Sequence, residues 1–191
     1  VQFKSLLDSG DHADVTFEAG GQDFHAHKAI LSARCEYFKA MFKSGTGMIE
    51  SEIGNAKISH DASTFGNLLE YIYTNNVADL FQNSAENIIA LLMAADEYDL
   101  TDLKSLCETA ATGVINDTNI GKLLLISKTY RATSLQFACE GYLTTHLPSL
   151  KKTATFRKEL VSNPRLALLI LDAIPDDANC SSPTSKRRRI A

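Results

Sequence analysis

Two lone charges, Asp14 and Lys28, lie in otherwise apolar sequence on either side of a Gly20-Gly21 pair. A Gly-Gly pair between two short alternating segments is typical of a two-residue β-hairpin turn. A charge within a core-forming segment destabilises the fold unless it has a partner. The sequence therefore predicts a strand–turn–strand–helix unit in which Asp14 and Lys28 form a partly buried charged pair.

The first part of the chain mixes strand and helix patterns. Val15 and Phe17 alternate with polar residues, which predicts a half-buried strand over 13–19. The other elements expected here are a short helix that ends before Gly10, a return strand over 22–26, helices over 28–34 and 36–43, and a strand over 56–59. Together they predict a small sheet flanked by helices.

From Asp61 onward the apolar residues follow a helical period. Asp61 is expected to cap the first of these helices, and Asn83 followed by Glu86 resembles the capping box of the next one. Pro148 is expected to close a later helix, and Asn163-Pro164 to join the two helices of a terminal hairpin. The second part of the chain is therefore predicted to be all helical.

The charge distribution disfavours nucleic acid as a partner. The formal net charge of the 191 residues is −4, but Lys186–Arg189 supply four of the 19 basic residues. The remainder carries 15 basic against 23 acidic residues, a net charge of −8. General nucleic-acid binding needs a basic face, which such a body lacks. No apolar run is long enough to span a bilayer and no secretory signal is visible, so no membrane partner is expected.

The cysteines and histidines predict neither a metal site nor a cofactor. The four cysteines form no Cys-x-x-Cys pair and are expected to be reduced thiols, the first three of them in helix cores: Cys35, Cys107, Cys139 and Cys180. His25 and His27 lack a second ligand pair at a metal-like spacing. An enzyme using His25, His27 and Cys35 is disfavoured, because no nucleophile elbow, phosphate-binding Gly loop or acid–base carboxylate pair accompanies them.

Five linked motifs resemble those of a BTB/POZ domain in order and spacing, over about residues 1 to 112. They are Ala13-Asp14-Val15, Phe24–Leu31, Tyr37–Phe42, Leu69–Thr74, and Ala94–Leu100 with Leu103 and Cys107. The helical pairs after Asp117 resemble the start of a BACK region. The whole chain is most similar to the C-terminal part of speckle-type POZ (MATH–BTB) proteins, including the Ser/Pro-rich tail that ends in Lys-Arg-Arg-Arg.

This resemblance implies an α+β fold in which a small β-sheet flanked by α-helices precedes an all-α extension. The expected units are a BTB/POZ domain over 1–115, a BACK-like helical region over 116–175 and a disordered tail over 176–191. Related proteins carry a substrate-binding MATH domain upstream. The Val at position 1, where a complete chain would have Met, agrees with a missing upstream portion.

The function that the resemblance implies is that of a substrate-recruiting adaptor of a cullin-3 ubiquitin ligase. The expected partners are cullin-3, a second copy of the chain and protein substrates held by the MATH domain. The chain then needs no catalytic residue, because the recruited ubiquitin-charged enzyme performs the chemistry. The alternative is a transcriptional regulator whose BTB dimer recruits corepressors, which the lack of zinc fingers in this chain disfavours.

Two sites follow from the resemblance at the start of the chain. The dimer interface of the family uses the first helix and the helix after the hairpin, which implies Phe3, Leu6, Leu7 and Ile30. Intramolecular packing is the alternative for Ile30. Asp14 and Lys28 match a charged pair near that interface in BTB transcription factors, and are expected to fix its geometry, with peptide binding as the alternative.

The cullin contact of MATH–BTB adaptors is a hydrophobic-x-Glu motif after the helix that ends in Met-Phe. Met48 and Glu50 fit this motif. Gly45-Thr46-Gly47 lengthens the loop by about two residues relative to the family, so Ile49 or Ile53 is an alternative to Met48. The alternative to a cullin contact is that Met48 packs locally within the loop. Tyr73 and Tyr98 are expected to line the cullin-binding surface as well.

Two further sites are implied near the C-terminus. Lys186, Arg187, Arg188 and Arg189 resemble a nuclear import signal, so the expected location is the nucleus, with the cytoplasm in addition. The alternative is a plain solvated run of charge. The last helical hairpin resembles a second self-association surface, for which the resemblance implies Phe156, Leu166 and Leu171; the family commonly has an aromatic residue at the position of Leu171.

Overall fold

The computed structural model describes residues 2–43 and 55–173. Within these ranges a three-stranded sheet is surrounded and followed by helices. In chain order the elements are α1 Gln2–Ser9, β1 Val15–Ala19, β2 Gln22–Ala26, α2 Lys28–Arg34, α3 Glu36–Met41, β3 Asn55–Ile58, α4 Ala62–Thr74, a 3-10 turn Leu80–Gln82, α5 Ala85–Glu97, α6 Thr101–Gly113, α7 Ile120–Thr129, α8 Thr133–Leu150, α9 Ala154–Ser162 and α10 Pro164–Ala173. The predicted α+β class with a helical C-terminal part is confirmed.

The sheet has the order β2-β1-β3, so that β1 is its central strand. β1 and β2 form the predicted hairpin, with Val15 opposite Ala26 and Ala19 opposite Gln22. The turn residues Gly20 and Gly21 have φ angles of 57° and 79°, as a type I′ hairpin turn requires. β3 runs parallel to β1 on its other side. The central strand is therefore fixed from both sides.

Aromatic rings join the sheet to the helices that flank it. Phe17 of β1 is fully buried, and its ring centroid lies 5.5 Å from that of Phe38 in α3 and 5.3 Å from that of Phe65 in α4. Phe38 stacks in turn on Tyr98 at the end of α5, 5.3 Å away. Aromatic pairs at these distances add to the stability that their burial provides. One continuous set of rings thus connects β1, α3, α4 and α5.

The predicted cap of α4 is confirmed. The carboxylate of Asp61 accepts hydrogen bonds from the N–H and the hydroxyl of Thr64, at 2.9 and 2.7 Å. These bonds favour the ionised carboxylate and hold the pKa of Asp61 below its usual value. α4 ends at Asn75, which adopts the left-handed conformation common at helix C-termini.

Two predicted helix boundaries are wrong. α5 is capped by the hydroxyl of Ser84, which accepts from the N–H of Asn87, and not by Asn83. Both residue types cap helices well, so the sequence pattern alone does not choose between neighbours. Pro148 does not close α8 but lies inside it, two residues before Leu150. A proline so near the C-terminus removes one hydrogen bond, and the N–H of Lys151 still bonds to the carbonyl of Leu147.

The helices after α6 pack back onto the first part of the chain. α7 and α8 form an antiparallel pair, α8 packs on α6, and α10 packs on both α7 and α8. The terminal hairpin forms as predicted, with Pro164 as the first residue of α10 and the side chain of Asn163 accepting from the N–H of Leu166. In the two described ranges, no helix is both long and apolar enough to cross a membrane.

Alanine substitutions at Gly20 and Gly21 distinguish two contributions to stability at the hairpin turn: the backbone conformation and the close packing against α4. Both φ angles are positive, so each substitution is expected to cost about 1 kcal/mol of stability. A Cβ on Gly20 would also lie 2.6 Å from the backbone nitrogen of Ala62 at the start of α4, whereas one on Gly21 meets no described atom within 4 Å.

We therefore expect Gly20→Ala to lower the free energy of unfolding by about 2–4 kcal/mol in urea denaturation. Gly21→Ala is the matched control and should lower it by about 1 kcal/mol. Equal losses would show that the turn does not press against α4.

Candidate protein-interaction surfaces

The predicted dimer residues of α1 share one side of the helix. Phe3 is 56% exposed, and Leu6 is half-buried. Leu7, also half-buried, packs against the core, and the ammonium of Lys4 contacts the carboxylate of Glu70 in α4 at 2.6 Å. This hydrogen bond raises the pKa of Lys4. α1 is thus docked on α4 while Phe3 and part of Leu6 remain uncovered.

Ile30 of α2 is half-buried and contacts the core of its own chain. Part of this side chain therefore serves intramolecular packing, which was the alternative to an interface role. The exposed remainder is still open to a partner.

A buried histidine holds the loop between α1 and β1. The Nε2 of His27 lies 2.8 Å from the carbonyl oxygen of Asp11, and its Nδ1 lies 2.8 Å from the hydroxyl of Tyr73. A carbonyl oxygen can only accept, so Nε2 carries the proton of that bond. In the neutral ring Nδ1 then accepts from Tyr73, whose oxygen also accepts from the backbone N–H of His27 at 2.9 Å. The tautomer follows from these contacts, and the loop that carries α1 is fixed to α4.

Asp14 and Lys28 meet, but not as the ion pair that the sequence predicts. The carboxylate of Asp14 accepts from the backbone N–H of Lys28 at 2.7 Å. The ammonium of Lys28 instead lies 5.6 Å from the ring centroid of Phe42, in a cation–π contact. Asp14 is exposed, and no ion pair joins the two side chains in the described part of the chain. The expectation of a partly buried pair of side-chain charges is therefore corrected.

Tyr73 and Tyr98 lie in the core, each only 2% exposed. Burial raises the pKa of both hydroxyls, that of Tyr73 to about 12. Neither presents a surface to a partner in the single chain. The expected role as surface residues is corrected. Beside Tyr98, Tyr37 of α3 is 42% exposed and packs on the Tyr98 ring with the centroids 4.6 Å apart.

The terminal hairpin separates its predicted self-association residues into two groups. Phe156 and Leu166 are each 1% exposed and belong to the core, whereas Leu171 is 67% exposed. Val161 and Leu168, which the sequence did not single out, are 83% and 62% exposed on the same hairpin. The signal was present in α10, because Leu166 and the buried Ile170 are four residues apart and define the inner stripe, which leaves Leu168 and Leu171 outside it.

The three cysteine thiols in the described part of the chain are buried. The thiol of Cys35 is buried and donates to the carbonyl oxygen of Tyr98 at 3.5 Å, and burial raises its pKa. Burial also raises the pKa of Cys107 and Cys139 to about 12, so all three thiols are held in the unreactive protonated form. Among the described residues, no group of three or more His, Cys, Asp or Glu side chains could hold a metal ion.

Several predicted sites lie outside the described residues. They are Met48 and Glu50 with the alternatives Ile49 and Ile53, the Gly45-Thr46-Gly47 insertion, Cys180, and the basic cluster Lys186–Arg189 with the tail that carries it.

Comparison with known sequences identifies the first and larger part of the chain. The BTB/POZ domain family matches residues 3–113. The chain belongs to the BTB/POZ family.

Curated relatives extend the likeness of this BTB/POZ protein beyond the matched domain. BTB and MATH domain-containing protein 42 of Caenorhabditis elegans is 31% identical over 95% of this chain and 45% of its own length. BTB/POZ and MATH domain-containing proteins 6 and 3 of Arabidopsis thaliana are 28% and 29% identical, over 94% and 97% of this chain and 46% and 48% of theirs. The chain thus resembles MATH–BTB proteins through its helical extension and spans about half the length of these relatives.

The substitution Tyr73→Phe tests the hydrogen bonds between His27 and Tyr73 in this BTB/POZ domain. Tyr73→Phe removes the partner of the buried N–H of His27 and of Nδ1, so we expect a loss of about 1–3 kcal/mol of stability. Tyr71→Phe is the control, because Tyr71 is also buried on α4 but its hydroxyl makes no hydrogen bond within the described ranges. It should change the free energy of unfolding by less than about 0.5 kcal/mol. Equal effects of the two variants in denaturant titrations would contradict the network.

Proposed function

We propose that this protein is a substrate-recruiting adaptor of a cullin-3 ubiquitin ligase. The observation that carries the proposal is its likeness to MATH–BTB proteins over 94–97% of the chain, well beyond the BTB/POZ domain itself. A MATH domain elsewhere in the full-length protein would capture the protein substrate. The described part would bind the cullin and a second copy of itself, and the recruited ubiquitin-charged enzyme would perform the chemistry.

Homodimerisation through α1 and α2 is supported by apolar area that the single chain leaves uncovered. Phe3 is more than half exposed, and Leu6 and Ile30 are half-buried. Large apolar side chains grouped on a short helix are typical of an interface, and a two-fold axis pairs such a patch with itself. The bond between Lys4 and Glu70 and the His27 network hold α1 in place before the partner binds, which lowers the ordering cost of association.

For the cullin contact, we propose Met48 as the inserted apolar side chain and Glu50 as its polar neighbour. Of the described elements, α3 precedes this segment and β3 follows it, and both are parts of the packed body. The exposed Tyr37 of α3 is a further candidate for this surface, with α7 and α8 extending it. Higher-order assembly would use Val161, Leu168 and Leu171, and Lys186–Arg189 would direct the protein to the nucleus.

A calorimetric titration with the cullin-3 N-terminal domain tests the adaptor function. We expect sub-micromolar affinity that falls by at least about tenfold when Met48 and Glu50 are both replaced by alanine, because a buried apolar anchor dominates such interfaces. Ile49→Ala and Ile53→Ala are matched controls that decide the position of the motif. Absence of binding at tens of micromolar by the unchanged, dimeric protein would contradict the adaptor function and favour a corepressor-binding role.

Light scattering tests the two self-association surfaces against each other. Phe3→Asp with Leu6→Asp is expected to give monomers, because the two-fold contact would bury two pairs of carboxylates. Leu168→Asp with Leu171→Asp should remove species larger than a dimer and leave the dimer intact. A dimer mass that survives the α1 substitutions would refute the α1 interface.

A further inference from the structure

The turn between α7 and α8 leaves the start of α8 without a local cap. α8 begins at Thr133, and Ala132 in the N-cap position has no side chain that could accept a hydrogen bond. The first N–H groups of a helix have no partner within the helix, and a capping side chain normally accepts from the second or third of them. α8 therefore needs an acceptor from elsewhere.

Glu108 of α6 provides this acceptor. Its Oε2 accepts from the N–H of Ser134 at 2.9 Å and from that of Leu135 at 3.4 Å. These are the second and third residues of α8, the same two donors that a Ser or Asp at position 132 would bind. Glu108 is only 7% exposed, so these bonds also satisfy a buried carboxylate. Its negative charge lies at the favourable, N-terminal end of the helix dipole.

Lys104, one helical turn before Glu108, acts on the other side of the same turn. Its ammonium donates to the carbonyl oxygen of Tyr130, the C-cap of α7, at 2.5 Å, and to Asp96 of α5 at 2.6 Å. A cation is favourable at the C-terminal end of a helix. α6 thus presents a cation to the end of α7 and an anion to the start of α8.

We propose that Lys104 and Glu108 are positioning residues that fix the α7–α8 hairpin against the BTB/POZ domain. Each caps a helix that follows α6 in the chain, at separations of 26 and 27 residues, so the cap exists only when the hairpin is docked. The position of α7 and α8 then sets the outer part of the cullin-binding surface, a consequence that rests on the proposed function.

Replacing the remote cap Glu108 by a local cap at Ala132 distinguishes an effect on the position of the hairpin from an effect on the stability of α8. Glu108→Ala is expected to accelerate amide hydrogen exchange at Ser134 and Leu135 by about tenfold. Adding Ala132→Ser supplies a local cap and should restore slow exchange. It cannot restore the link to α6.

The position of the hairpin is measured as the distance between two spin labels. The labels are attached to cysteines introduced at two exposed positions, Ser63 of α4 and Thr144 of α8. The labelled protein also carries Cys180→Ser and is diluted with unlabelled chain. We expect a narrow distribution for the unchanged residues, and a broad one for Glu108→Ala with or without Ala132→Ser. Lys104→Met should broaden it as well, and tests the proposal if Glu108→Ala does not fold. Glu140→Ala is the control, because Glu140 pairs with Lys128 inside the hairpin at 3.2 Å and should leave the distribution narrow.

A narrow distribution in Glu108→Ala, or its return on adding Ala132→Ser, would overturn the positioning role. In the cullin titration Glu108→Ala should weaken binding by about fivefold, and Ala132→Ser should not restore it. If the unchanged protein does not bind the cullin, the proposed function fails, and the spin-label distances still decide whether Lys104 and Glu108 position the hairpin.

Discussion

The packing of Phe17 between α3 and α4 is the contact on which the other positions depend. Its ring meets those of Phe38 and Phe65 from the central strand of the sheet. Once β1 is fixed there, the hairpin places Asp14 beside the start of α2 and His27 beside α4. The loop before β1 is then bonded to His27, and α1 is held over α4. Contacts from the core therefore fix the position of α1 and of its apolar side.

Helix caps show how far the sequence predicts this structure. Asp61 is a local cap, three residues from its donor, and was predictable from residue type and position. Asp14 and Glu108 act on helices whose own N-cap residues, His27 and Ala132, provide no capping side chain. These remote caps depend on which helices pack together, and residue spacing does not contain that information. For the same reason Asp14 was correctly placed near Lys28, while its actual partner, the backbone N–H, was missed.

Helical and strand periods predicted most of the elements, but not which member of an apolar group faces outward. The resemblance to the family places Tyr73 and Tyr98 on the cullin-binding surface, yet both lie in the core. A tyrosine has a large apolar ring that is stable in a core, and the hydroxyl of Tyr73 has a hydrogen-bond partner there. The terminal hairpin shows the same difference, because Phe156 and Leu166 lie in the core, whereas Leu171, predicted for the same surface, is exposed. Burial is decided by the facing element, which a one-dimensional pattern does not identify.

The remote caps also bear on where the BTB/POZ domain ends as a physical unit. The family match ends at residue 113, yet Lys104 and Glu108 within it bind backbone groups of residues 130–135. A chain cut after residue 115 would leave the carboxylate of Glu108 without its donors and uncover the side of α6 that packs on α8. A buried carboxylate without a partner is strongly destabilising, so α6 would have to rearrange or expose it. α6 therefore belongs to both units, and the helical extension completes the domain that precedes it.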